Sequence, residues 1–205
     1  MIIALKEVGK IFPKAQFKLE HISFNIEEGE IVGLIGSNGT GKSTIIFQHH
    51  NLLPGETVFY HLSLVYKLNH QKVDHEAIDD ILDFFGLARV KEVKCRSLSG
   101  GQQQKVAIAM AILQKPRLIL CDEISSALDT NSEREIFDLL ASLRDQYGIS
   151  VLMIAHHLSV LKQYCDRVMI LDYQTIAETV VPVKTASHQL ETDYVSQVKE
   201  FLLHD

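Results

Sequence analysis

An α/β fold with a mainly parallel sheet is predicted by three features of this sequence. Short continuous apolar runs recur along the chain, and patterns of helical period separate them. A glycine-rich turn follows the first run, and a pair of acids closes the second. The 205 residues, 46% hydrophobic and 22% charged, suffice for one large globular domain or for a domain with a small lobe.

The elements follow in order. Residues 1–8 and 17–26 ("FKLEHISFNI") alternate with the period of a strand, and "GEIVGLIG" (29–36) reads as a buried strand. Between Thr57 and Leu87 the spacing becomes helical: Ile78, Ile81, Leu82 and Phe85 share one helix face, and Gly86 is a natural stop. "GQQQKVAIAMAILQKP" (101–116) is a helix ended by Pro116. "RLILCDE" (117–123) is a strand. In the helix 131–148, Ile136, Leu139, Leu140 and Leu143 form the apolar stripe, Ser132 with Glu135 forms a candidate capping box, and Gly148 closes it. "ISVLMIAHH" (149–157) is a further strand, 167–180 a hairpin, and "TDYVSQVKEFLLH" (192–204) a last amphipathic helix.

Composition excludes several functions. A net charge of −6 and a pI near 5.9 leave no basic footprint for nucleic acid. Three dispersed cysteines, Cys95, Cys121 and Cys165, fit reduced thiols in a cytosolic protein rather than a disulfide framework. The ten histidines show no zinc-ligand spacing. No run approaches the roughly 18 apolar residues of a membrane-spanning helix, and the N-terminus alternates like a strand rather than a signal peptide.

Three motifs carry chemistry. "GSNGTGKS" (Gly36, Ser37, Asn38, Gly39, Thr40, Gly41, Lys42, Ser43) fits the phosphate-loop pattern directly after a strand. Its glycines let backbone N–H groups curl round phosphate, Lys42 can reach the outer phosphates, and the Ser43 hydroxyl can ligate Mg²⁺, with Thr44 adjoining. "LILCDE" delivers Asp122 to a strand end, where it can hold the metal's hydration shell. Glu123 is placed to polarise an attacking water. "LSGGQ" puts Ser99, Gly100, Gly101 and Gln102 at a helix N-terminus, a second anion site in one chain.

Together with "SALD" (126–129), these segments resemble the Walker A, signature, Walker B and D-loop of ATP-binding-cassette (ABC) ATPases. That resemblance implies a P-loop NTPase core with a helical signature subdomain. It divides the chain into a β-rich nucleotide-binding part (1–47), a helical part (48–115) and a part carrying Walker B and the switch histidine (116–205). It also implies a head-to-tail homodimer, in which Lys42 and Ser43 of one chain face Ser99 and Gly101 of the other across ATP. Phe12, in "KIF", stands where the family stacks an aromatic on adenine, with a plain core aromatic as the alternative. His156 stands where the family's switch histidine contacts the γ-phosphate. Ile124 and Met110 depart from the family pattern at positions without a catalytic role.

"IIFQHHNLLPGETVFYHLSL" (45–64) is similar to the glutamine-loop segment of methionine-importer ATPases, and "YCDRVMIL" (164–171) also fits that branch. Gln48 would then sense Mg²⁺ and water beside a membrane partner. By this resemblance the chain is an ATPase on the cytoplasmic face of the membrane, acting with a permease and indirectly with a solute-binding protein. A repair- or translation-type ABC ATPase is the alternative class; it calls for coiled-coil insertions or a second cassette.

In a competing reading, "STIIFQHHNLLPGE" is the helix that follows the phosphate loop. The run from Phe47 to Val58 favours the glutamine loop. Lys42 and Leu98 then stand only 56 positions apart, several tens fewer than the family pattern. The helix after Walker A and part of the N-terminal antiparallel lobe are therefore missing. Two explanations stand: a true deletion that impairs ATP binding, or, as favoured, residues left out between Ser43 and Ile46.

Overall fold

A computed structural model describes residues 1–12, 17–36, 52–122, 130–155, 157–183 and 202–203. The last amphipathic helix lies outside these residues, apart from a helical Leu202 and Leu203. The elements are β1 (Ile3–Phe12), β2 (Phe17–Ile26), β3 (Ile31–Gly36), α1 (Val58–Leu68), α2 (His75–Phe84), α3 (Gly100–Ile112), β4 (Leu118–Asp122), α4 (Thr130–Tyr147), β5 (Ser150–Ile154), α5 (Leu158–Tyr164), β6 (Arg167–Asp172) and β7 (Thr175–Val180). Among the described residues no helix is long and apolar enough to cross a membrane.

The chain divides into two compact units. One comprises Met1–Gln48, Arg117–Glu123 and Leu140–Asp205; the other comprises His49–Pro116 and Ile124–Leu139. In the first, five strands form a sheet in the order β4-β5-β3-β6-β7, parallel except for β7. The central strands β3 and β5 are buried at every position. Parallel strands covered on both faces need that continuous apolar sequence. The antiparallel pair β1 and β2 supplies Leu19, Ile22 and Ile26 to a core shared with Val32, Leu152 and Met169. Its register shifts near Glu7 and His21, both at positive φ. There the Glu7 carboxylate takes a bond from the Ser23 hydroxyl and pairs with the His21 ring.

Gly33 in the middle of β3 is a point of close approach. A Cβ there would lie 2.6 Å from Leu161 Cδ2 of α5 and 3.0 Å from the Cys165 sulfur. Gly33→Ala should therefore lower unfolding stability by about 1–3 kcal/mol, since overpacking a filled core forces its neighbours off their rotamers. Gly55→Ala, into open space, is the matched control and should leave the urea midpoint unchanged.

Arg167 at the start of β6 ties three segments together. Its Nε and Nη2 donate to the Glu30 carboxylate at 2.5 and 3.1 Å, and Nη2 also donates to the Asn25 carbonyl. Burial pushes the Glu30 pKa up. The Arg167 bonds and the Glu27 N–H outweigh it, and the carboxyl titrates below its usual range. A carboxylate depressed in the folded state contributes stability that is whole above its unfolded pKa of about 4.3 and is lost as pH falls through the folded value. Glu30→Gln should cost about 1–3 kcal/mol at pH 7. In urea titrations, the gap between wild type and variant should narrow as pH falls below the ordinary carboxylate range and through the folded value.

The second unit holds α1, α2, α3 and the first turns of α4. Helix starts follow side-chain chemistry: Thr57 accepts from the Tyr60 N–H, and Asp74 accepts from the Ala77 N–H. Gly86, at φ 66°, ends α2 as expected. The expected capping box at Ser132 and Glu135 is corrected. The helix already begins at Thr130, and Glu135 instead accepts from Lys105 Nζ at 2.8 Å. The apolar stripe shifts too: Phe137 is fully buried with Ile136, Leu140 and Leu143, while Leu139 is half-buried. The hairpin expected at 167–180 is present as β6 and β7, joined by a two-residue turn with Tyr173 and Gln174 both at positive φ, while helix α5 occupies a stretch for which no element was expected.

Candidate nucleotide site

Parallel register brings the chemistry-bearing ends of the first unit to one edge of the sheet. Ile154 of β5 is in register with Leu34 of β3 on one side and with Asp122 of β4 on the other. The strands lie about 4.8 Å apart, so Asp122 and the segment leading into the phosphate loop are two strand spacings from each other. The chain leaves β3 towards β4 on one side, and leaves β5 towards β6 on the other. This is the crossover geometry that opens a crevice at the carboxyl ends of an α/β sheet.

Gly36 is the last residue of β3, paired with Leu171. Ser37 to Thr44, Gln48, Glu123 and His156 lie outside the described residues, as does the step from Ser43 to Ile46. Phe12 closes β1 opposite Phe17; its side chain is likewise outside. Asp122 is buried at the end of β4. Next to it, burial pushes the Cys121 thiol up to about 12, so that neighbour stays neutral and adds no charge beside the acid. All three cysteines are buried, and among the described residues none forms a disulfide.

The second unit carries the serine-glycine turn. Ser99 is the N-cap of α3 in a full capping box: its hydroxyl accepts from the Gln102 N–H at 3.3 Å, and Gln102 Oε1 accepts the Ser99 N–H at 3.0 Å. The N–H groups of Ser99 and Gln102 are thereby taken up within the turn. The N–H groups of Gly100 and Gly101, at the first two helical positions, are the ones with no intrahelical acceptor, and the exposed Ser99 hydroxyl keeps its proton to donate. Gly101 has a packing role that the motif did not reveal. A Cβ there would meet Ser132 Cβ and Oγ at 3.3 Å, so glycine lets α3 approach the first turn of α4. Asp122 and Ser99 belong to different units.

The family model described as ABC transporter matches residues 19–47 and 44–126, more than half of the chain. The chain belongs to the ABC transporter family. Its relatives include the methionine import ATP-binding protein MetN of Clostridioides difficile, 33% identical over 86% of this chain and 68% of that protein. The MetN of Haemophilus influenzae is 34% identical over 86% of this chain; this chain spans 64% of that protein's length. Among solved structures, a dimeric ATP-binding cassette in a post-hydrolysis state bound to ADP and Pi superposes with a TM-score of 0.74 at 25% identity, covering 87% of this chain and 97% of that one.

The two matched pieces overlap at residues 44–47, so the family pattern breaks off and resumes within "TIIF". The alignment to the Haemophilus influenzae relative runs over 221 positions but uses 86% of the 205 residues, so about 45 positions face nothing in this chain. The step from Ser43 to Ile46, which decides between residues left out and a true deletion, lies outside the described residues.

Proposed function

We propose that this ABC-family chain is the ATP-binding and ATP-hydrolysing subunit of an importer for methionine or another small amino-acid-like solute. The observation that carries the reading is the convergence of Gly36 and Asp122 on one sheet edge, in a chain that also presents Ser99 and two glycines at a helix start. In this reading Lys42 and the backbone of 36–44 hold the phosphates, and Phe12 stacks on adenine. The Ser99–Gln102 turn of a second copy covers the γ-phosphate, giving a head-to-tail homodimer.

The oxygen donors Ser43, Gln48 and Asp122 suit Mg²⁺, a hard cation, and Asp122 stands at the strand end where such an ion would need it. When bound, the ion neutralises charge developing on the phosphates. Glu123 orients and polarises the attacking water, and His156 contacts the γ-phosphate. Residues 1–47, 48–115 and 116–205 form the three functional parts. A membrane permease, served by a solute-binding protein, docks on the segment after Gln48 at the cytoplasmic face.

The relatives named for methionine import support the cargo class. The test is methionine-limited growth and labelled methionine uptake with and without this chain, with isolation of the proteins that co-purify. Recovery of a permease and loss of uptake are expected; ribosomes in place of a permease would sink the transport reading. The break at 44–47 favours a second reading, in which the shortened phosphate-loop region binds ATP weakly or not at all.

A further inference from the structure

We infer that His61 is a positioning residue that fastens the segment Leu53–Thr57 to the turn presenting Ser99, so that the two move as one piece. The imidazole is almost fully buried, at 1% exposure. Its Nε2 accepts the Leu53 N–H at 2.8 Å, and its Nδ1 lies 2.8 Å from the Thr57 carbonyl. An amide N–H can only donate and a carbonyl can only accept, so the ring carries its hydrogen on Nδ1. The Cys95 sulfur lies 3.4 Å from the same nitrogen.

Cys95 opens the 3₁₀ turn Cys95–Ser97, which runs directly into Leu98 and Ser99. The backbone reinforces the joint: the Cys95 N–H donates to the Glu56 carbonyl, and the Arg96 N–H to the Pro54 carbonyl. On the far side, Gln103 Nε2 of α3 donates to the carbonyls of Cys95 and Leu98, each at 3.2 Å. One imidazole thus stands between a loop whose Leu53 side chain is half exposed and a turn braced onto the signature helix. A displacement imposed at Leu53–Glu56 reaches Ser99 through this joint rather than dissipating in a free loop.

The inference rests on the ATPase reading for its consequence but not for its geometry, and the test separates the two. Amide hydrogen exchange is followed in wild type, His61→Leu, His61→Gln and Gln103→Leu. His61→Leu fills the volume without polar atoms. His61→Gln places an amide oxygen near the Nε2 position and keeps an acceptor for Leu53. His61→Leu should speed exchange at least about tenfold both at Leu53 and at residues 95–98, and His61→Gln should restore protection at Leu53. Gln103→Leu should loosen 95–98 alone, and with His61→Gln it decides the matter if His61→Leu fails to fold. Unchanged exchange in His61→Leu, or opening at Leu53 without 95–98, would overturn the inference. In the accompanying ATPase assay, His61→Leu should lower kcat about tenfold with KM for ATP unchanged, and His61→Gln should recover it. A wild-type kcat in His61→Leu counts against the positioning role. Absence of turnover in wild type counts against the ATPase reading alone, and exchange still decides the joint.

Discussion

Lys42→Ala is expected to weaken Mg-ATP binding by at least about a hundredfold and to take ATP turnover to background. The ammonium of a phosphate-loop lysine makes charge-assisted bonds to the outer phosphates, each worth about 1.5–3 kcal/mol, and about 2.7 kcal/mol is a factor of a hundred. Stability is expected to be untouched; β3 ends at Gly36, before Lys42. The measurement is calorimetric titration of the variant beside wild type, with a urea midpoint as the folding control. Equal affinity in the two proteins would show that the phosphates are held elsewhere.

The second large effect separates binding from chemistry. Glu123→Gln keeps the size and hydrogen-bonding reach of the side chain but removes the charge that, in the proposed mechanism, polarises water. Turnover should fall by about 10²–10⁴-fold while Mg-ATP affinity stays within a few-fold of wild type. Two copies that hold ATP without cleaving it should then remain dimeric in sedimentation. Undiminished turnover would assign the water-activating role to another group. Paired with Lys42→Ala, this variant tests the proposed division of the site into a gripping half at Lys42 and a reacting half at Glu123.

The strands were the most legible part of the fold. β3 and β5 are continuous apolar runs because parallel strands are covered on both faces. Helix starts were less so. Ser132-x-x-Glu135 and Ser99-x-x-Gln102 both fit the capping-box pattern, but only the second coincides with a helix start, which tertiary packing decides. Helix α5 is seven residues long, and His157 at its N-cap makes no side-chain cap bond, so nothing local announced it.

The β6–β7 turn uses Tyr173 and Gln174 at positive φ, where asparagine and glycine are the usual signal. The motifs named the residues of the candidate site, and strand register then placed Gly36 and Asp122 at one edge, which spacing alone could not do. His61 escaped notice because its role comes from Leu53 and Cys95, eight and 34 positions away.

The break in the family pattern at 44–47 makes ATP binding by this chain the decisive quantity. Mg-ATP should be titrated into the purified wild-type protein, with the heat of binding and the Mg²⁺-dependent release of phosphate followed on the same preparation. The account predicts saturable binding of one ATP per chain, with phosphate release that stops when Mg²⁺ is chelated. No binding heat and no phosphate release at millimolar ATP, from a protein that unfolds cooperatively, would contradict it.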